Sequence, residues 1–585
     1  MINMKNYKKV YAAFILAGGL ILHGCNGIFD DLAINPNQPS MGAYFTSPSA
    51  VNDAVMTMYG YMSTQRCLGA SGSKTTIIRS DEASSNSDYG KPGMFGADLN
   101  ASYYTIEQPY TLMYTTASQA SYIIETAPSV DFSGNEELRN AYMGEAYFWR
   151  AFAHYYLLIN FRNISPIRQM PRNGDDYVRP LEKPAAVWNF IQEDLAHAKE
   201  LLPVKGYWDS KNAGRVTKAS AAALLGKAYL YRSGIEQYYG EDKTTFYSEA
   251  AKEFGDVIDG KYGTYDLTKN YADNFDVAHE NNEESILEFQ FLGDVDNAGF
   301  NPGLATSGLA FDSRGLMLPG AGVGYEGVVH NWLYNAFVNS VDKDGYTDIR
   351  MFSTMIFNDL DASIHLRNDA GGNPVRLEGP GSYKWEELYP AKNGKEGFAT
   401  VSNPLAHSFK AGIRKGIDCS MPTQTEADGT PKLVGVGAGV KEYVYNQPRA
   451  HGVNWRYIRY ADVLMMYAEA IVSGGTQASN MTPLQAVNKV RGRVNMSELP
   501  SVTMTDIQNE RILEFALEGH RFYDLLRWGK LASRFTELQE SDPNFKKFIS
   551  ADDFKGFVTN KHEWLPIPIN EVNSNPYITE NNPGY

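Results

Sequence analysis

Apolar residues recur every three to four positions over long stretches of this chain, the spacing that lays one face of an α-helix against a core. The pattern predicts helices over 47–64, with Ser47 or Ser49 able to cap, and over 107–126, 136–161, 185–202, 217–232 and 246–258. Pro203 and Gly234 stop two of them. The 136–161 helix carries Phe148, Phe152, Tyr155, Tyr156 and Ile159 on one stripe and Tyr142, Ala146 and Trp149 on another, so it is expected to run through the middle of the fold. Between about 270 and 454 helical periodicity is scarce, apart from 329–339. Gly, Asn, Asp and Pro are frequent there, with short alternating segments such as Ser285 to Phe291. Helix then resumes with a stripe of Tyr460, Val463, Leu464, Tyr467, Ala468 and Ile471. A helix over 482–494 follows, opened by Thr482-Pro483. One long helix is expected over 506–528, before a proline-rich extended tail.

Leu225-Gly226-x-x-Tyr229 reproduces part of the first-helix pattern of tetratricopeptide repeats. Met143-Gly144-x-x-Tyr147 echoes it, and Ala198 to Pro203 resembles the end of such a repeat. The small residue lets two helices approach and the aromatic fills the space beside it. The expected fold is therefore mainly α: a tetratricopeptide-like helical-hairpin scaffold with an inserted loop-rich lobe containing few short strands. The divisions are a helical scaffold over 46–269 with a loop at 69–106, a variable lobe over 270–454 and a helical C-terminal region over 455–585.

The N-terminus alters the picture of where this scaffold works. Lys5, Lys8 and Lys9 precede an apolar run from Val10 to Leu22, which is signal-peptide length and too short to span a bilayer. Ile21-Leu22-His23-Gly24-Cys25 resembles a bacterial lipoprotein cleavage site, although His23 departs from the usual small residue. On that reading 1–24 is a signal peptide, Cys25 is lipidated and 25–45 is a tether. Of the three cysteines, Cys67 and Cys419 remain, and two buried thiols are expected. The formal charge of −15 without basic clusters excludes nucleic acid, whose binding needs cations to displace counterions.

Several segments together resemble the SusD/RagB family of outer-membrane lipoproteins: Ile458 to Ala470, Val487 to Arg493, Glu510 to Trp528, Leu565-Pro-Ile-Pro and Asn582-Pro-Gly-Tyr585, with the 145–156 and 217–234 helices. The resemblance runs nearly the length of the chain and is faint between 270 and 450. It implies a surface-exposed, lipid-anchored outer-membrane protein that is not an enzyme, captures oligosaccharide and delivers it to a SusC-like TonB-dependent transporter. A peptide ligand, as for some relatives, is the nearer alternative; a secreted glycoside hydrolase is the one from another class.

No chemistry-bearing motif competes. HExxH and GxSxG are absent, Gly69 to Thr75 lacks the P-loop glycine before Lys74, and Gly435 to Gly439 lacks the last Rossmann glycine. Glu518, Arg521 and Asp524 fall three apart, a spacing read as helix packing rather than catalysis, as are Asp462 and Glu469. Asp342 to Asp348 resembles part of a calcium loop, but Met351 stands where the bidentate glutamate belongs, so a turn is expected. No cofactor or metal is expected. With 38 Tyr, 28 Phe and 8 Trp, sugar capture by aromatic stacking and polar edges needs nothing more. Arg79, Asp81, Tyr89, Phe95, Asn100 and Tyr103 have that mixture, and the resemblance places part of the binding face there. Phe300, Tyr325 and Trp332 correspond, by order along the chain, to the second contributing region. The platform tryptophan of some members has no obvious counterpart.

Overall fold

In the computed structural model, helices form close to where the apolar period puts them: α1 Pro48–Met62, α2 Tyr104–Thr126, α3 Glu136–Phe161, α4 Pro184–Leu201, α5 Lys218–Tyr239 and α6 Tyr247–Ile258. The structure describes residues 45–64, 66–69, 72, 74–85, 95, 99–291, 326–357, 363–368, 374–375, 411–415, 433–437, 440–443, 453–542 and 557–585. The leader, Cys25, Tyr89, Phe300, Tyr325 and Cys419 lie outside the described residues. Ser47 caps α1 by accepting from the Ala50 N–H, with Pro48 next to it. Every residue of α3 from Phe148 to Phe161 is buried, as its two apolar stripes require.

The helices pack as neighbours, α3 between α2 and α4, and α5 between α4 and α6. The tetratricopeptide-like glycines stand at close contacts. A Cβ on Gly144 would lie 2.9 Å from the Leu202 backbone nitrogen, and one on Gly226 would lie 2.7 Å from the Phe254 ring. Gly144→Ala gains about 1 kcal/mol of helix propensity, but backbone cannot step aside as a side chain can. Overpacking of about 1–3 kcal/mol outweighs the gain, so thermal denaturation is expected to show a net loss of stability.

Helix α5 runs through Gly234 to Tyr239 instead of stopping there. This glycine serves close approach, not termination: a Cβ would lie 2.5 Å from the Arg527 carbonyl oxygen. Beyond α6, the described parts of the lobe contain two short helices, α7 Asn331–Val338 and α8 Arg350–Thr354, and short strands. Strands β1 Ala83–Ser85, β3 Glu326–Val329, β4 Met355–Phe357 and β7 Ala411–Ile413 form one sheet in the order β1-β3-β7-β4. β2 Ser285–Phe289 pairs antiparallel with β10 Trp455–Arg459 and touches α5. β5 Arg367–Asn368 pairs with β6 Pro374–Val375, and β8 Leu433–Gly437 with β9 Val440–Tyr443.

After β10 come α9 Tyr460–Val472, α10 Pro483–Arg493, α11 Met504–Glu514, α12 Arg521–Arg527, α13 Leu531–Ser541 and α14 Ile569–Ser574. A capping box opens α10, with Thr482 and Gln485 exchanging bonds. The single helix expected over 506–528 is broken between α11 and α12. Leu517 and Gly519 take positive φ there, 62° and 87°, and a Cβ on Gly519 would lie 2.9 Å from Thr76 Oγ1. The apolar period continues across the break because both arms face the same core. The calcium-like segment is a turn: Asp342 Oδ1 accepts from the Asp344 and Tyr346 N–H groups, and Asp348 pairs with Arg350.

Candidate ligand-binding site

The two segments singled out for ligand contact meet across one strand pair. β1 and β3 run antiparallel, with Ala83 opposite Val329 and Ser84 opposite Val328. The pairing extends past the strand ends: the His330 N–H donates to the Glu82 carbonyl at 2.9 Å, and the Trp332 indole N–H donates to the Asp81 carbonyl, 251 positions away along the chain. Ser84 Oγ and His330 Nε2 share a further short hydrogen bond.

The C-terminal helices bolt this junction down. Arg521 from α12 grips the Asp81 carboxylate at 2.9 Å, and Arg534 from α13 does so at 2.6 Å. The Arg534 guanidinium also lies 4.2 Å from the centroid of the Trp332 ring, a cation–π contact. Trp332 is thus held at its nitrogen and across its ring, and the residue as a whole is half-buried. That is the arrangement a stacking platform needs: a flat apolar surface whose rotamer is already fixed before ligand arrives.

Three expected contact residues are internal. Arg79 is 1% exposed; it donates to Asn160 Oδ1 and to the His562 and Glu563 carbonyls, and lies 4.0 Å from the Phe522 ring centroid. Asp81 is fully buried in its two ion pairs. Phe95 is 2% exposed, stacked on His562 and edge-on to Phe535 of α13. Burial against the C-terminal region makes them supports for the loop, not surfaces for a ligand. Tyr103 is half-buried, stacked with Tyr104 at 5.4 Å, and Asn100 is exposed. Both stand at the start of α2 beside α14, where the Ile569 N–H donates to the Ala101 carbonyl. Of the described candidates, only Asn100, Tyr103 and Trp332 reach solvent. Arg534, His330 and Ser84 had no sequence signal, because their roles arise only from pairing between distant segments.

Burial alone raises the Asp81 carboxyl, but Arg521 and Arg534 outweigh it and hold the group below the usual carboxylate range. Its neighbour Glu82 lacks such a partner, and burial pushes it up to about 8. Glu82 accepts from the Leu517 N–H at 3.0 Å, tying the strand to the turn between α11 and α12. A carboxyl raised in the folded state binds a proton that the unfolded chain has released. Stability therefore falls as pH rises from about 4.5 through about 8. Glu82→Gln, which cannot ionise, is expected to match the parent near pH 5 and to be the more stable protein at pH 8.5, by up to a few kcal/mol at 1.36 kcal/mol per pKa unit. Urea denaturation at the two pH values reads the difference.

The comparisons with known proteins agree with this architecture. The family described as "SusD family" matches residues 425–585, and that described as "Starch-binding associating with outer membrane" matches residues 34–230. The chain belongs to the SusD/RagB family. A SusD-like protein of Bacteroides ovatus is 24% identical over 532 residues, covering 90% of this chain and 83% of that protein. A SusD superfamily structure from Bacteroides vulgatus superposes with a TM-score of 0.65 at 22% identity, covering 93% of this chain and all of the other. Surface glycan-binding protein A from Bacteroides thetaiotaomicron, solved with laminarihexaose, superposes with a TM-score of 0.64 at 18% identity, covering 92% and 100% of the two chains. In this SusD-family chain the two matches cover the helical scaffold at either end. β3, α7 and Trp332 fall in the stretch between them.

Proposed function

We propose that this chain is a cell-surface glycan-binding lipoprotein that captures oligosaccharide and passes it to a SusC-like TonB-dependent transporter, tethered through lipid on Cys25. The observation that carries the reading is Trp332, half-buried and clamped by Asp81 and Arg534, where two distant segments join on a SusD-family scaffold. Pyranose rings present apolar C–H faces that stack on such a plane, and neighbouring polar groups bond their hydroxyl edges. The laminarihexaose held by a structural relative supports the same ligand class. The helix-borne charges that resemble catalytic groupings are spent on packing: Arg521 pairs with Asp81, and Asp524 with Arg511 and Arg527.

The test is titration calorimetry of the purified mature protein against laminarihexaose, maltohexaose, other neutral oligosaccharides and a peptide panel, with chromatography of the sugars after long incubation. Saccharide binding without cleavage is the expected result. Binding confined to peptides selects the peptide-binding reading, and released product selects a hydrolase. Co-purification of a transporter barrel from detergent-solubilised outer membranes tests the delivery step.

A further inference from the structure

A cavity of about 200 Å³ opens elsewhere in the lobe, bounded by the turn after α7, the approach to β5 and the C-terminal end of α10. Neither Trp332 nor any candidate residue on 79–103 lines it. Trp332 lies at the N-terminal end of α7 and this cavity follows its C-terminal end.

We propose that this cavity is a second saccharide subsite, taking one neutral pyranose unit such as a chain end or branch; the ligand class rests on the glycan-binding reading above. Size limits the occupant. Sites for drug-sized ligands run to roughly 300–1,000 Å³, so this one admits a single ring. Its lining is divided as a sugar is divided. Ile349, Phe352 and Leu366 form an apolar wall, while the Asn270 and Asn495 amides supply polar edges.

Charge selects a neutral guest. Arg493 is already neutralised by Glu284 and Glu514, and Asp342 accepts from Asn495 and from backbone N–H groups. Lys269 is exposed, so its charge is screened by solvent.

Saturation-transfer NMR with D-glucose, D-galactose, D-mannose and D-xylose at millimolar concentration tests the subsite on the full mature chain. At least one sugar is expected to give signal that survives in Trp332→Ala, and Leu366→Trp added to that variant is expected to abolish it by filling the cavity. Should Leu366→Trp melt early, His365→Ala carries the test with an expected several-fold weakening, because the bonds of His365 to Thr347 run through its backbone. No signal from any of the four sugars in Trp332→Ala, or signal that persists there when the cavity is also altered, overturns the proposal. Oligosaccharide titration of the parent protein separates the two readings. Oligosaccharide binding with a silent cavity sinks only the subsite, whereas monosaccharide signal without oligosaccharide binding sinks only the capture function.

Discussion

Replacing Arg459 by alanine is expected to cost about 3–5 kcal/mol, the loss typical of breaking a buried ion pair from one side. Its guanidinium is fully buried, bonding Glu284 and Glu514 at 2.6 Å each and Glu518 at 2.9 Å, and it also donates to the Glu514 carbonyl. Around it Arg350 reaches Asp348, Glu510 and Glu514, and Arg493 reaches Glu284 and Glu514. This network joins β10 and α10 to α11 and to the lobe segment leading into α8. Removing one cation leaves carboxylates buried with too little compensation, which outweighs the side-chain entropy recovered. Arg459→Lys keeps the charge but not the planar fork, so an intermediate loss is expected.

The pH dependence checks the cause. Burial raises Glu514, but Arg493, Arg459 and Arg350 more than reverse it and hold its carboxyl well below the usual range. A depressed carboxyl contributes stability above its unfolded pKa, and that contribution is lost as pH falls through the folded value. The gap between parent and Arg459→Ala should therefore be widest near neutrality and shrink below about pH 4.5. Urea midpoints at pH 7 and pH 3.5 measure it; an equal gap at both would show that lost packing, not charge, is responsible.

Trp332→Ala is expected to weaken oligosaccharide binding by ten- to a hundredfold while leaving the fold intact, on the proposed function. An aromatic platform is worth about 1–3 kcal/mol per stacked ring by analogy with base stacking. Its removal leaves Asp81 paired to Arg521 and Arg534, so the β1–β3 junction survives. Titration calorimetry of the variant, with its melting curve as control, gives the answer. Unchanged affinity would move the site to Asn100 and Tyr103 at the start of α2. Asp81→Ala is the informative contrast, since it frees two arginines in a buried place and should lower affinity and stability together.

The helical scaffold was legible because its signals are local. Period, caps and small-residue spacing are written within a turn or two of each other, and Gly144 and Gly226 stand at helix contacts for the reason their spacing suggests. The charged series of the last helices was also readable as packing, although its partners were not. Arg521 pairs with Asp81, 440 positions away, rather than with Glu518 or Asp524 beside it.

The sequence by itself determined the class of the fold and its family. Tertiary structure alone decided which side chains remain available. Arg79, Asp81 and Phe95 have the composition of a sugar site, yet each is consumed by groups from the C-terminal region: Asp81 by Arg521 and Arg534, Phe95 by Phe535 and His562, Arg79 by the His562 and Glu563 carbonyls. The physical reason is that a charge or ring acts on whatever the chain folds against it. Nothing in its own neighbourhood distinguishes a residue awaiting a ligand from one already satisfied by a partner hundreds of positions away.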